Sequence, residues 1–291
     1  MEGRDGLTTA TICAFNRQVL DGLPLKNGVV PGEIRTDSVV VGSVYRGAPG
    51  EDCRYLLDQM CAWLEGPAFR GPEEMGFAFA VFKAVLAHLY LAWIHPFDDG
   101  NGRTARPLEF EILLAAGVPT PAAHLLSNHY NQTRSEYYRQ LDRASKTGGD
   151  ILPFLEYAIQ GLVDGLRGQI GTIREQQIDV TWRNYVYERF QEKKGAHEER
   201  QRRLVLALGQ VSSFVPISKV KELTPRIATD YAAKSDKTLQ RDLAEMESAE
   251  LIERREVEVR ARRELVLAFR PWRKEDKDML PNGERSTPGT A

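Results

Sequence analysis

The chain has 291 residues, longer than one average domain, and this length favours two domains with a linker. Apolar residues make up 42% and charged residues 27%, which excludes disorder over most of the length. With 39 basic and 41 acidic side chains the net charge is -2, which excludes a bulk polyanion binder and leaves only local basic patches.

Thr8 to Leu20 predicts a first helix, with Ile12, Phe15, Val19 and Leu20 at helical spacing. Gly22 to Pro31 breaks it, and Val39-Val40-Val41 with Gly42, Val44 and Tyr45 predicts a strand or hairpin. Glu51 to Glu65 returns to helix. Phe77 to Ile94 is apolar nearly all round but carries Lys83 and His88, which favours a buried core helix over a membrane span. Thr104 to Ala116 predicts the next helix, closed by Gly117. Three more follow at Gln132–Ala144, Ile151–Gln176 and Val180–Lys194. A charged stretch with a breaker, 193–199, marks a domain boundary.

Beyond it, short helices are expected at Arg202–Gln210, Ile217–Leu223, Ile227–Ala233 and Thr238–Ala249. Two strands follow, Leu251–Val259 and Glu264–Phe269, around the basic turn Arg260-Ala261-Arg262-Arg263. Helices followed by a basic-tipped hairpin describe a winged helix-turn-helix. Between Ser235 and Glu250, Lys237 and Arg241 face the acidic Asp236, Asp242, Glu245, Glu247 and Glu250, which opposes phosphate approach. Cys13, Cys53 and Cys61 have no metal-ligand spacing and read as reduced thiols of a cytoplasmic protein. The N-terminus has no apolar signal core, so secretion is not expected.

The chemistry concentrates in His95-Pro96-Phe97-Asp98-Asp99-Gly100-Asn101-Gly102-Arg103-Thr104-Ala105-Arg106. Its two glycines permit backbone N–H groups to converge, and the following helix adds unpaired donors and a positive dipole end, an arrangement suited to phosphate. Arg103 and Arg106 share one helix face and are able to clamp phosphate oxygens. Asp99 beside them makes sense with Mg²⁺ between carboxylate and phosphate, and His95 titrates near neutrality as a proton acceptor.

This segment resembles the Fic family (fido fold) motif His-x-Phe-x-Asp/Glu-Gly-Asn-Gly-Arg-x-x-Arg at every specified position. The similarity extends upstream through Pro31-Gly32-Glu33-Ile34-Arg35-Thr36 to Gly42, and downstream through Leu126–Leu141, covering about residues 7–165. The resemblance implies a mainly α fold, a Fic helical core with a β-hairpin flap, here joined to a small winged helix-turn-helix domain. Together with the sequence pattern beyond it, this gives domains at 1–165 (core), 166–199 (helical extension and linker) and 200–273 (winged helix), with a disordered tail at 274–291.

It also implies AMP transfer from ATP to a Ser, Thr or Tyr hydroxyl of a target protein, with Mg²⁺ and release of pyrophosphate. In that reading His95 resembles the general base, Phe97 the loop anchor and Asp99 the Mg²⁺ ligand. Gly100, Asn101 and Gly102 resemble the anion hole, with Asn101 near the α-phosphate. Arg103 and Arg106 resemble the β- and γ-phosphate clamps, with Thr104 and Ala105 between them on the nucleotide-binding segment. Tyr138 matches a nucleotide-pocket position, and Val41 with Gly42 lie on the flap on which a protein substrate docks. Self-modification is a further reading, DNA contact through the C-terminal domain stands as the alternative to a protein-interaction or dimerisation role there, and a membrane is not expected.

Three departures stand out. Pro107 replaces an aliphatic residue in the motif helix, and Arg46-Gly47-Ala48-Pro49 replaces Pro-Pro after the flap. No inhibitory Ser/Thr-x-x-x-Glu-Gly/Asn segment is found, so the chain is expected to be active as it stands. The alternative reading is a DNA-binding regulator whose Fic core is a nucleotide sensor. A kinase variant is disfavoured because Gly-Asn-Gly-Arg is kept.

Overall fold

The computed structural model describes residues 6–41, 45–192 and 195–269. It is mainly helical, and the chain divides into two compact units, 1–169 and 170–291.

In the first unit α1 (Thr9–Leu20) starts at Thr8, whose hydroxyl accepts from the Thr11 N–H and caps the helix. A two-stranded antiparallel hairpin follows, β1 (Val40–Val41) and β2 (Tyr45–Arg46), with Val40 opposite Arg46 and Val41 opposite Tyr45. Then come α2 (Cys53–Leu64), α3 (Gly76–Ile94), α4 (Asn101–Ala115), the short α5 (Thr120–Ala123), α6 (Leu125–Gln132) and α7 (Arg134–Lys146). Helix α3 is the centre of the unit and packs most extensively on α4. It is long and apolar enough to cross a membrane, yet Val81, Val85, Leu89 and Leu91 are core residues here. Each such side chain contributes roughly 1.5–3 kcal/mol when fully buried.

Two expected boundaries move. Helix α4 begins at Asn101 rather than Thr104, because Gly100 takes a left-handed conformation (φ 80) and turns the chain into the helix early. The helix expected over 132–144 is α7, shifted by two residues to Arg134–Lys146, and α6 before it, which ends at Thr133 (φ -112, ψ 39), was not expected.

The segment expected as two helices with a linker behind them is one helix, α8 (Leu152–Arg189). No glycine or proline stands between Gln176 and Val180 to stop it. Its first half supplies Phe154, Ala158 and Leu162 to the first core, and its second half supplies Trp182 and Val186 to the second. The stretch 166–199 is thus not merely an extension between domains.

In the second unit α9 (Ala196–Leu208), α10 (Pro225–Tyr231) and α11 (Asp236–Ser248) accompany a three-stranded antiparallel sheet. The sheet order is β3 (Val215–Pro216), β5 (Glu258–Ala261), β4 (Ile252–Arg254). The strand expected at Glu264–Phe269 is a 3₁₀ helix, Arg263–Phe269. The hairpin turn lies at 255–257, where the Arg255 N–H reaches the Glu258 carbonyl at 2.8 Å. The arginines expected at the tip therefore lie elsewhere. Arg260 is in β5 and pairs with Glu253, Arg262 pairs with Glu264, and Arg263 pairs with Glu175 and Asp179 of α8. A buried ion pair, Arg200 to Asp242 at 2.8 Å, ties α9 to α11, and the Tyr231 hydroxyl donates to the same carboxylate. The expected tail at 274–291 lies outside the described residues.

Candidate functional site

The site is built where α3 ends and α4 begins. His95 closes α3 in the left-handed conformation (φ 51, ψ 54), an uncommon backbone state for a residue with a Cβ. Its N–H bonds the Leu91 carbonyl, and its ring Nδ1 lies 3.3 Å from the Ala92 carbonyl. A carbonyl only accepts, so this contact places the proton on Nδ1 and leaves Nε2 as the lone-pair nitrogen. Burial pushes the His95 pKa down, the Ala92 hydrogen bond opposes this, and the Arg35 cation pushes further down. The ring is therefore neutral over a wider range of pH than an ordinary histidine.

After His95 the loop is held from within. Asn101 is buried, takes the Phe97 N–H on its Oδ1 at 2.9 Å and donates its Nδ2 to the Phe97 carbonyl at 2.6 Å. Phe97 itself is in the core. The Asn101 side chain is thus spent on closing the loop. Thr104 and Ala105 also face inward. The Thr104 hydroxyl donates to the Gly100 carbonyl at 2.9 Å, and Ala105 is fully buried.

The N–H groups left open at the start of α4 are those of Asn101, Gly102 and Arg103, because the first intrahelical bond runs from Thr104 to Gly100. Among the described residues no side chain caps this end. Gly102 meets nothing within 4 Å of an added Cβ. Asp99 stands beside them. Its Oδ1 accepts from the Gly100 N–H at 2.6 Å and from Arg103 Nη2 at 2.8 Å. Its partial burial would raise the carboxyl pKa, but the hydrogen bonds from Arg103 and Gly100 prevail and hold it below the usual carboxylate range. Oδ2 accepts no hydrogen bond among the described residues. Arg106 forms no ion pair among them either, and it lies near enough to Tyr137 to lower that phenol's tendency toward a raised pKa.

Tyr138 is 53% exposed on α7, with its ring 5.3 Å from Tyr137 and the Arg134 guanidinium 5.7 Å from its centroid. Of the expected flap pair, Val41 ends β1 and Gly42 lies outside the described residues. No group of three or more His, Cys, Asp or Glu side chains converges on one point among the described residues. A metal cage made by protein alone is therefore not the expectation here. One carboxylate with an open oxygen beside an anion-binding helix start fits Mg²⁺ shared with phosphate oxygens.

Sequence reasoning missed three supports. Asn16 of α1 is buried and donates to the Asp99 carbonyl and the Thr104 hydroxyl, both at 3.0 Å, while its Oδ1 takes the Gly32 N–H at 2.8 Å. Its signal was a polar residue on the Ile12–Leu20 apolar face. Arg35, 60 residues before His95, donates to the His95 carbonyl at 2.7 Å, and no spacing rule announces it. Under α4, His88, Glu109, Tyr130 and Tyr137 form a buried polar cluster. The Tyr130 hydroxyl donates to Glu109 at 3.0 Å, and His88 Nε2 lies 2.9 Å from the Tyr137 oxygen.

Residues 6–113 match the Fic/DOC family model. The chain is 33% identical over 172 residues to a protein adenylyltransferase fic-1 from Caenorhabditis briggsae, covering 58% of this chain and 30% of that protein. It is 35% identical over 151 residues to a protein adenylyltransferase Fic from Drosophila melanogaster, covering 52% and 27%. The chain thus spans under a third of the length of these curated relatives. A solved structure, Fic-1 residues 134–508 from C. elegans, is 26% identical with a TM-score of 0.44, covering 58% of this chain and 44% of that one.

Proposed function

Because this chain carries a Fic/DOC family domain over residues 6–113, we propose that it transfers AMP from ATP to a Ser, Thr or Tyr hydroxyl of a target protein. The observation that carries the reading is the pairing of a neutral His95, its Nε2 lone pair unspent, with an uncapped helix start a few residues later. The open N–H donors of Asn101, Gly102 and Arg103 and the dipole of α4 receive phosphate oxygens. Arg103 and Arg106 complete the clamp. The Asp99–Arg103 pair is part-exposed and worth at most about 1 kcal/mol, so Arg103 is free to turn from carboxylate to phosphate. Asp99 Oδ2 would then hold Mg²⁺ against the same phosphates, and the cation supplies charge neutralisation there.

His95 Nε2 accepts the proton of the target hydroxyl as its oxygen bonds to the α-phosphorus, and the bond from that phosphorus to the pyrophosphate oxygen breaks. Tyr138 offers an exposed ring for the adenine to stack on. The β1–β2 hairpin is the surface proposed to receive the target backbone. In the second unit, the element order of three helices and a three-stranded sheet supports the winged-helix reading, but Arg255, Arg260, Arg262 and Arg263 are engaged with carboxylates. Arg255 and Arg260 flank the Phe214 ring while Arg260 also pairs with Glu253, which leaves little free charge for DNA phosphates. Intact mass spectrometry after incubation with Mg·ATP tests the activity. An adenylyl adduct on the chain or an added target is expected, and its loss in His95→Ala ties it to this site. Nucleotide binding without any transfer would support the sensor alternative.

A further inference from the structure

Arg35 is 3% exposed and has no carboxylate within ion-pair distance among the described residues. A buried cation without a counter-ion is costly unless dipoles replace water. Four carbonyls do so. Nε donates to His95 at 2.7 Å, Nη2 to Ala48 at 2.6 Å and to Ile94 at 3.2 Å, and Nη1 to Asp37. The Arg35 N–H adds a bond to the Pro96 carbonyl at 2.9 Å. Ile94 and His95 are the end of α3, where a helix dipole favours a cation. Asp37 and Ala48 are the two stems of the β1–β2 hairpin. One guanidinium therefore touches the backbone of His95 and both sides of the hairpin.

Gly47 makes this convergence possible, since a Cβ there would lie 2.9 Å from Arg35 Nη2 and 3.0 Å from the His95 Cβ. The left-handed backbone at His95 is strained for a residue with a Cβ and persists only if its surroundings impose it. Resting on the AMP-transfer reading, we propose that Arg35 is the positioning residue of the site: it fixes the His95 backbone and the hairpin to one point, so that the base and a docked hydroxyl keep a set separation. Beside that point the Tyr45 phenol and the Cys53 thiol are held neutral by burial, while the Asp52 carboxylate acts on Cys53. Tyr45 of β2 is pushed up to about 12 and Cys53 of α2 is raised, with Arg35 partly opposing both. Arg35 is the charge that acts on the His95 ring.

The test uses the full chain with Arg35→Met, Arg35→Lys and Gly47→Ala, and two readouts. NMR titration of the His95 ring, identified by its loss in His95→Ala, does not depend on activity. Its midpoint is expected to rise in Arg35→Met, where the neighbouring cation is gone. The AMP-transfer rate is expected to fall ~100-fold in Arg35→Met and Arg35→Lys, with Mg·ATP affinity retained, since displacement of a reacting group by about 1 Å costs that much. Lys cannot reach four carbonyls in a planar fork, so it does not rescue. Gly47→Ala crowds the same contact without removing the charge, and serves if Arg35→Met does not fold. A wild-type transfer rate in Arg35→Lys or Gly47→Ala overturns the proposal, as does an unmoved His95 midpoint in Arg35→Met. A shifted midpoint in a chain that transfers no AMP at all refutes the transfer reading and upholds Arg35's hold on His95.

Discussion

His95 differs from an ordinary histidine in two ways that act together. The Ala92 carbonyl fixes its proton on Nδ1, and burial with the Arg35 cation disfavours the doubly protonated ring. A lowered pKa means that the proton-accepting form survives to more acid pH. The acid limb of the pH–rate profile is therefore expected to have its midpoint below about 6.5, the ordinary histidine value. A midpoint above it would show that the ring is not in this environment during turnover. His95→Ala is expected to cut AMP transfer by roughly 10²–10⁴-fold while calorimetry shows Mg·ATP binding retained, because the phosphate contacts come from α4. Equal losses in rate and in nucleotide affinity would instead assign His95 to binding.

The element proposed to carry the chemistry is the start of α4, and its geometry depends on side chains that bond within the protein. Asn101 closes the loop onto Phe97, Asn16 ties Asp99 and Thr104 to α1, and Gly100 supplies the left-handed turn with Leu20 and Asn16 packed against it. Asn101→Ala leaves the Phe97 N–H and carbonyl without these partners in a buried loop and is expected to cost about 1–3 kcal/mol in urea denaturation, with transfer lost as well. An unchanged denaturation midpoint would contradict the loop-closing role. The motif from 95 to 106 was legible in the sequence because its residues are local and chemically specific. The loop-closing bonds of the Asn101 side chain were not, since a side chain satisfying its own loop and one facing a phosphate have the same sequence signature. Arg35 was hidden for a different reason: its partners are backbone carbonyls, which every residue has. The second unit's hairpin was misplaced because Arg255-Glu256-Val257 contains no glycine or proline to mark the turn.

At the scale of the whole molecule, the two cores share α8, whose continuity no composition break foretold. The expectation that no internal glutamate inhibits the site concerns the whole chain. Arg106 forms no ion pair among the described residues, and whether a glutamate restrains the proposed site is open to a direct test. Glu→Gly substitutions scanned through the chain are expected to leave the transfer rate within a small factor of wild type. A tenfold or greater rise for any one of them would reveal a restraining contact. The central claim, that this site moves AMP and not the terminal phosphate, is tested most directly by incubating the chain and a mixed protein extract with Mg²⁺ and ATP labelled at either the α- or the γ-phosphate. The account predicts protein-bound label from the α position alone, present with the wild-type chain and absent with His95→Ala. Label from the γ position, or α-label undiminished in His95→Ala, would contradict it.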